Sequence, residues 1–196
     1  MRLLFLGSGA FGIPSLAALH QRHEITAIVT QPDRPAGRKR TLTPTPVAEW
    51  ATENAPRIPL ERPENINEPV ALDRIRGYDA DAWVVIAYGQ RLADELYADR
   101  FAINLHASRL PRWRGAAPIA HTILAGDETT GNAVINVAAR MDAGDVHAMS
   151  ERPVGHTQTA GELHDALAMD GPELLLRVLA KRENDALDPQ SQNESL

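Results

Sequence analysis

An asparagine and a histidine near the middle of the chain are of residue types, and at a spacing, that could do chemistry. Asn104 and His106 are separated by one residue at the end of FAINLH, an apolar run typical of a buried strand. Alternate residues of a strand point to the same side, so we expect both side chains to face whatever lies beyond the strand end. Ligands of open α/β sheets bind at the carboxyl ends of the strands. A structural role for the pair is equally compatible with the sequence.

A carboxylate that could join this pair lies in DAGD, residues 142–145. The apolar runs NAVINVAA and VHAMSERPV on either side are too close in the sequence for a helix between them. We therefore predict an antiparallel strand pair with Asp142 in its connection. Because Asp and Gly are common turn residues, a plain hairpin turn is the alternative. The combination of Asn, His and Asp, without a serine or cysteine nucleophile, suggests transfer of a group to a nucleophile that the substrate supplies.

The segment GSGAFG, residues 7–12, follows an apolar run and precedes a helical pattern. It fits the glycine spacing of a dinucleotide site. Such a site also requires an acid at the end of the second strand, where this chain has Thr30 and Gln31. A tight glycine turn that lets strand and helix pack explains the same residues, and the sequence favours that interpretation.

The proline-rich segment QPDRPAGRKRTLTPTP, residues 31–46, carries four basic residues. These are Arg34, Arg38, Lys39 and Arg40. An ordinary solvated loop is one interpretation, since charge runs usually lie on the surface. The prolines predict a stiff protruding arm whose charge is opposite to the acidic average, which favours a phosphate-bearing partner such as nucleic acid.

Composition restricts the class of protein. The 196 residues are 43% hydrophobic and 23% charged, which is typical of a globular chain. No apolar run is long enough to span a bilayer, and we expect a cytoplasmic protein with no membrane partner. The absence of cysteine excludes disulfides and thiolate chemistry, and the net charge of −6 argues against a protein covered with positive charge for nucleic-acid binding.

Short apolar runs alternate with helical patterns along the chain, from RLLFL through PSLAALHQ and ITAIVT to DAWVVIA. This alternation predicts an α/β fold with a Rossmann-like, open, mostly parallel twisted sheet and helices on both faces. The antiparallel strand pair should lie near the C-terminal part. A last helix is expected over about 159–181, and the polar residues after it predict a linker or disordered tail over 184–196.

Several motifs together resemble the folate-dependent formyltransferases. The pattern N-x-H-x-S-x-L-P followed by D-x-G-D looks like the catalytic signature of that family, and VVIAYG resembles its folate-side strand end. PRWRGAAPI and QPDRPAGR are similar to two loops of the members that act on tRNA. The chain departs from the family pattern at Arg109, where leucine is usual, at AARMDAGD and at GSGAFG. The resemblance covers nearly the whole chain.

The resemblance implies that a formyl group passes from 10-formyltetrahydrofolate, the cosubstrate, to the amino group of methionyl-initiator tRNA, without a metal. The reaction would proceed through a tetrahedral intermediate. Asn104 would donate a hydrogen bond to the developing oxyanion. His106 would stabilise the same charge or manage the amine proton, and Asp142 would hold the histidine ring.

The same resemblance implies two sets of binding residues. Folate would be bound at Ile86, Ala87, Tyr88 and Gly89, and at Ser108, Leu110 and Pro111. On the tRNA side, Phe11 would line the methionyl site, and Arg38, Lys39, Arg40, Arg112 and Arg114 would meet phosphates of the acceptor arm.

Residues 1–183 would then be a formyltransferase catalytic domain. The tRNA-acting members continue into a C-terminal β-barrel, which we expect to be absent here, and we expect a monomer. The acceptor is left open, because an amino sugar nucleotide or another small amine is also compatible with the sequence. A hydrolase that releases formate, a folate- or RNA-binding module without turnover, and a nicotinamide-dependent oxidoreductase that uses GSGAFG are further alternatives.

Overall fold

The computed structural model describes residues 1–193, which contain eleven strands and six α-helices. The strands are β1 Arg2–Gly7, β2 Glu24–Val29, β3 Arg34–Ala36, β4 Thr41–Thr43, β5 Leu60–Glu61, β6 Ala82–Ile86, β7 Ala102–His106, β8 Thr129–Thr130, β9 Ala133–Asn136, β10 Val146–Met149 and β11 Arg152–Pro153. The helices are α1 Ile13–Arg22, α2 Pro46–Asn54, α3 Pro69–Arg76, α4 Asp94–Tyr97, α5 Pro118–Ala125 and α6 Ala160–Glu183. Two compact units are present, Met1–Ala102 and a second that begins at Ile103.

The first unit is built on parallel strands. β1 pairs with β2 on one side and with β6 on the other, and β2 continues to β5, all in parallel. The strands are apolar runs rather than alternating patterns because a parallel sheet is buried on both faces. Phe5 and Trp83 are fully buried, as are Leu16 and Leu19 of α1. The predicted parallel sheet is therefore confirmed.

The glycine turn of GSGAFG has a packing explanation. A Cβ at Gly7 would lie 2.6 Å from the Phe5 ring and 2.9 Å from the carbonyl oxygen of Ile86. Only glycine allows this close approach at the end of β1. A short 3₁₀ helix, Ala10–Gly12, then leads directly into α1.

The basic segment 31–46 is more regular than a loop. β3 and β4 pair in antiparallel fashion, with Arg34 opposite Thr43, and residues 37–40 form the turn between them. Ion pairs of Arg34 with Glu64 and of Arg62 with Asp33 fix the base of this hairpin. The hairpin was not predicted from the sequence, because its strands are only three residues long and fully or partly exposed.

The second unit is antiparallel. β9 pairs with β7 on one side and with β10 on the other, which confirms the predicted antiparallel pair of β9 and β10. Helix α6 begins at a capping box formed by Thr159 and Glu162. It contributes a row of buried residues that includes Leu163, Leu167, Leu175 and Leu179.

The segment after α6 follows a defined path as far as Asn193. Gln190 forms a β-bridge with Val146, with backbone hydrogen bonds of 2.8 and 2.9 Å. The hydroxyl of Ser191 donates to Asp145 at 2.9 Å. The predicted linker or disordered tail covered 184–196, and residues 194–196 lie outside the described part of the chain.

Candidate active site

The structure brings Asn104, His106 and Asp142 together in the second unit. Oδ1 of Asp142 accepts a hydrogen bond from Nδ2 of Asn104 at 3.3 Å. Oδ2 of the same carboxylate lies 3.5 Å from Nδ1 of His106. The side chains of His106 and Asp142 are only 8% and 14% exposed, so water screens this contact little. One acid thus contacts both of the neighbouring polar groups.

Strand pairing explains this convergence. In the register of β7 and β9, Asn104 lies opposite Ile135 and His106 opposite Ala133. The connection from β9 to β10 returns towards the β7 strand end and carries Asp142. A Cβ at Gly144 would lie 1.9 Å from the carbonyl oxygen of Asn136, so the connection can close there only with glycine.

The backbone of Asp142 is itself strained. Its φ of 51° lies in the left-handed region, which a residue with a side chain seldom adopts. Gly115 donates its backbone N–H to Oδ2 of Asp142 at 2.8 Å. The surrounding contacts must hold the aspartate in this conformation.

The ring of His106 has a defined orientation. Its Nε2 lies 2.8 Å from the carbonyl oxygen of Trp113. A carbonyl can only accept, so Nε2 carries a hydrogen and donates it. Nδ1 faces Asp142, and both ring nitrogens therefore face oxygen acceptors. In this orientation the ring can stabilise nearby negative charge. Proton exchange between Nε2 and a substrate requires the Trp113 carbonyl to move aside.

The loop from Ser108 to Ala117 is held by its own contacts. Ser108 is fully buried, and its hydroxyl donates to the carbonyl oxygen of Arg112 at 2.6 Å. Leu110 is buried in an apolar cluster with residues of β9 and β10, namely Ala133, Ile135 and Val146. Pro111 is partly exposed. Ser108 and Leu110 thus shape the loop, and the folate contacts expected for this set of residues stay predictions.

Asp127 anchors the middle of this loop. Its carboxylate accepts from Arg112 at 3.1 and 2.6 Å and from Nε1 of Trp113 at 2.7 Å. The hydrogen bonds from Arg112 lower the pKa of Asp127, and those to Asp127 raise the pKa of Arg112. The guanidinium of Arg112 also lies 4.3 Å from the Trp113 ring, which stacks on His121. Asp127 was missed in the sequence because it belongs to no motif.

Two of the arginines that were expected to meet phosphate, Arg112 and Arg114, are engaged within the second unit. Arg112 is paired with Asp127, although its side chain is still 58% exposed. Arg114 donates from Nε and Nη2 to Oε1 of Gln192 at 2.9 and 2.6 Å. Gln192 lies in the polar segment that follows α6, and no motif in that segment predicts a role for it.

The strand end Ile86–Gly89 belongs to the first unit. Ile86 and Tyr88 are buried, whereas Ala87 and Gly89 are exposed and have φ values of 47° and 90°. The carbonyl oxygen of Tyr88 accepts from Oγ of Ser8 at 2.8 Å and from Nε2 of Gln31 at 3.2 Å. Within the described residues the hydroxyl of Tyr88 has no hydrogen-bond partner, and burial raises its pKa. Backbone at Ala87 and Gly89 is thus the accessible part of this segment.

The remaining predicted residues also lie in the first unit. Phe11 is only 6% exposed and belongs to the 3₁₀ helix before α1. Arg38, Lys39 and Arg40 occupy the exposed turn of the β3–β4 hairpin. No ion pair involves these three residues in the part of the chain from 1 to 193.

Two other kinds of feature, a metal-binding cluster and a membrane-spanning helix, are absent from residues 1–193. Among residues 1–193, no group of three or more His, Cys, Asp or Glu side chains has an arrangement that could hold a metal ion. Over the same range, no helix is long and apolar enough to cross a bilayer.

Comparison with known proteins identifies the family. The family described as "Formyl transferase" matches residues 1–179. The chain belongs to this family. Methionyl-tRNA formyltransferase of Xanthomonas euvesicatoria pv. vesicatoria is 46% identical over 177 residues, which are 89% of this chain and 57% of that protein. The chain therefore spans less than two thirds of the length of this curated relative.

Solved structures of the family share the fold. Phosphoribosylglycinamide formyltransferase from Bacillus halodurans superimposes with a TM-score of 0.77 at 19% identity, over 95% of this chain and 97% of that one. An N-formyltransferase from Helicobacter canadensis, in complex with folinic acid and dTDP-3-aminofucose, has a TM-score of 0.74 at 15% identity, over 99% of this chain and 68% of that one. The predicted Rossmann-like α/β class is thereby confirmed.

Proposed function

We propose that this chain carries the formyl-transferring activity of an enzyme that formylates methionyl-initiator tRNA. The family assignment supports a formyl transfer, and the relative named methionyl-tRNA formyltransferase supports the acceptor. The observation that carries the proposal is the contact of one largely shielded carboxylate, Asp142, with both Asn104 and His106. The group donor, 10-formyltetrahydrofolate, supplies an activated formyl group when it is bound.

Asn104 acts as a hydrogen-bond donor to the formyl oxygen. Its carboxamide nitrogen has two hydrogens, and the contact with Asp142 uses one of them. The second can meet negative charge that develops on the oxygen as the amine attacks. Donors oriented in advance for such charge typically contribute roughly 3–4 kcal/mol.

His106 stabilises the same charge or manages the proton that the attacking amine loses; the second role requires the Trp113 carbonyl to move aside from Nε2. General acid–base help of this kind contributes about 10²–10⁴-fold to a rate. Asp142 orients the ring through Nδ1, and the Trp113 carbonyl orients it through Nε2. The reaction needs no nucleophile from the protein, because the substrate amine attacks the formyl carbon directly. The bond from that carbon to N10 of the folate then breaks, and tetrahydrofolate leaves with the proton that the amine has lost.

The folate side of the proposal uses backbone rather than side chains. The exposed positions Ala87 and Gly89 suit pairing with the polar edge of a pterin, although the Ala87 carbonyl already accepts from the N–H groups of Ser8 and Gly9. The hydrogen bonds of Ser8 and Gln31 to Tyr88 hold this turn in place.

The tRNA side rests on the β3–β4 hairpin. Arg38, Lys39 and Arg40 are exposed at its turn, where they can approach phosphates of an acceptor arm. Arginine and lysine neutralise phosphate charge and release counterions on binding. Arg112 and Arg114 are weaker candidates, since each is already bonded within its own unit.

The test is a transfer assay. The chain is incubated with 10-formyltetrahydrofolate and methionyl-initiator tRNA, and formylmethionine is released from the tRNA and quantified. The proposal expects product with the wild type and a loss of product with His106→Ala. Folding of the variant is checked by circular dichroism. No product from well-folded wild type, with both substrates in excess, would overturn the proposal.

A second acceptor class has specific support. The Helicobacter canadensis structure is a complex with folinic acid and an amino sugar nucleotide, dTDP-3-aminofucose. A parallel assay offers dTDP-amino sugars in place of tRNA. Formylation of the sugar at a higher kcat/KM than that of the tRNA would favour this second acceptor.

A further inference from the structure

One side chain beyond the family match bonds to both loops that frame His106. Residues 1–179 match the formyl transferase family, and Gln192 lies outside that range. Nε2 of Gln192 donates to the carbonyl oxygens of Asp142 and Gly144, both at 2.8 Å. Its Oε1 accepts from Nε and Nη2 of Arg114 at 2.9 and 2.6 Å. All four contacts of the carboxamide therefore join the two loops to each other.

These contacts lie at Asp142, the residue of the site whose backbone conformation is unfavourable. The φ of Asp142 is 51°, a conformation that costs free energy and persists only when its surroundings fix it. Arg114 lies between Trp113, whose carbonyl orients the His106 ring, and Gly115, whose N–H binds the Asp142 carboxylate. Gln192 thus bonds to the backbone on the Asp142 side of the contact between Asp142 and His106, and to the side chain of Arg114 on the other side.

The position of Gln192 is itself fixed. The β-bridge of Gln190 with Val146 adds this segment to the edge of β10. Ser191 donates to Asp145 in the same connection that carries Asp142. The β-bridge of Gln190 and the hydrogen bond of Ser191 therefore fix the position of Gln192 next to the two loops.

We propose that Gln192 is a positioning residue for the acyl-transfer site, which fixes the Asp142 backbone against the loop of Arg114. The inference rests on the proposed function for its catalytic meaning. The segment that follows α6 is then a functional part of the site. Its carboxamide donates to two carbonyls and accepts from a guanidinium, which neither an alkyl side chain nor a carboxylate can reproduce.

Three full-length variants test this. Gln192→Ala removes every contact of the carboxamide. Gln192→Glu keeps an acceptor for Arg114 but loses the N–H groups that bind Asp142 and Gly144. Gln190→Ala is the matched control, because the side chain of Gln190 reaches only the carbonyl of Asp188 and its bridge to Val146 uses backbone.

Two readouts are independent of turnover: amide hydrogen exchange over residues 140–146, and the ¹⁵N signals of the His106 imidazole. The proposal expects faster exchange and shifted imidazole signals in both Gln192 variants, and neither change in Gln190→Ala. In single-turnover transfer, both Gln192 variants should be slower by roughly 10²-fold, the scale of a misplacement of about 1 Å, with KM for folate unchanged.

Wild-type exchange and wild-type imidazole signals in Gln192→Ala would overturn the inference. So would a Gln192→Glu variant that matches the wild type, because the donated hydrogen bonds would then be dispensable. If the wild-type chain transfers no formyl group at all, the proposed function fails, and the exchange and imidazole measurements still decide whether Gln192 positions Asp142.

Discussion

Nδ1 of His106 lies 3.5 Å from Oδ2 of Asp142, whose other oxygen accepts a hydrogen bond from Asn104 at 3.3 Å. The acid follows Asn104 by 38 residues in the chain. The orientations of the carboxamide and the imidazole therefore depend on the same side chain. This coupling makes Asp142 the position at which a small chemical change should have the largest effect.

Replacing Asp142 with asparagine should slow transfer while the fold remains. An amide has one acceptor oxygen and no charge, so it cannot interact favourably with the N–H groups of Asn104, His106 and Gly115 at the same time. We expect a fall of roughly 10²–10⁴-fold in the single-turnover rate, the range of general acid–base contributions. Rapid-quench measurement gives the rate. Asp165→Asn, at a helix position whose side chain is 85% exposed, is the control, and equal rates in the two variants would contradict the role of Asp142.

The basic hairpin should make tRNA use dependent on salt. Arg38→Ala combined with Arg40→Ala removes two exposed positive charges, which should raise KM for tRNA and flatten its dependence on salt concentration. KM for folate should not change. A double variant of exposed arginines elsewhere in the first unit, Arg22→Ala with Arg57→Ala, removes the same charge. If both double variants show the wild-type salt slope, the hairpin is not the contact surface.

Adding one methyl group at Gly144 should be poorly tolerated. The new Cβ would lie 1.9 Å from the carbonyl oxygen of Asn136, which belongs to the paired strand β9. We expect Gly144→Ala to lower the free energy of unfolding by about 1–3 kcal/mol, as overpacking usually does. Urea denaturation measures this. Gly155→Ala, whose Cβ would meet only the side chain of Gln158 at 3.6 Å, should change stability much less.

Stability should fall when the pH falls below about 6.5, and His147 should contribute to that loss. Burial lowers the pKa of His147 below its ordinary value of 6.5. The negative charge of Asp145 raises this pKa, but by less than burial lowers it. The unfolded chain therefore takes up a proton on His147 at a higher pH than the folded chain does. The contribution of neutral His147 to the free energy of unfolding is thus fully present above pH 6.5 and decreases below it. Denaturation of wild type and His147→Gln between pH 5 and 8 checks this, with exposed His156→Gln as the control for loss of a histidine. A difference between wild type and His147→Gln that is constant with pH would contradict it.

Much of the fold follows from periodicity in the sequence. Runs such as RLLFL and DAWVVIA predict buried parallel strands, and β1 and β6 lie where those runs are. The short segment between NAVINVAA and VHAMSERPV predicts antiparallel pairing, which β9 and β10 confirm. These elements are decided by local patterns of apolar residues, so a single sequence is sufficient to find them.

The supporting contacts of the site could not be found in the same way. Asp127 and Gln192 contact the loop of Arg112 and Arg114 from distant parts of the chain, and neither stands in a periodic or motif-bearing segment. The hydrogen bond between the Trp113 carbonyl and His106 depends on the left-handed backbone of Trp113, whose φ is 61°. The residue type does not predict this conformation. Motifs identify the residues that do chemistry, whereas their positioning depends on tertiary contacts.

The proposed function assigns formyl transfer to an aminoacylated tRNA to three side chains, Asn104, His106 and Asp142. The most direct measurement is single-turnover transfer of ¹⁴C-formyl from 10-formyltetrahydrofolate to methionyl-initiator tRNA, by the wild type and by His106→Ala. The account predicts labelled formylmethionine with the wild type and a loss of roughly 10²–10⁴-fold in the rate with the variant. A folded His106→Ala protein that transfers the label at the wild-type rate would contradict it.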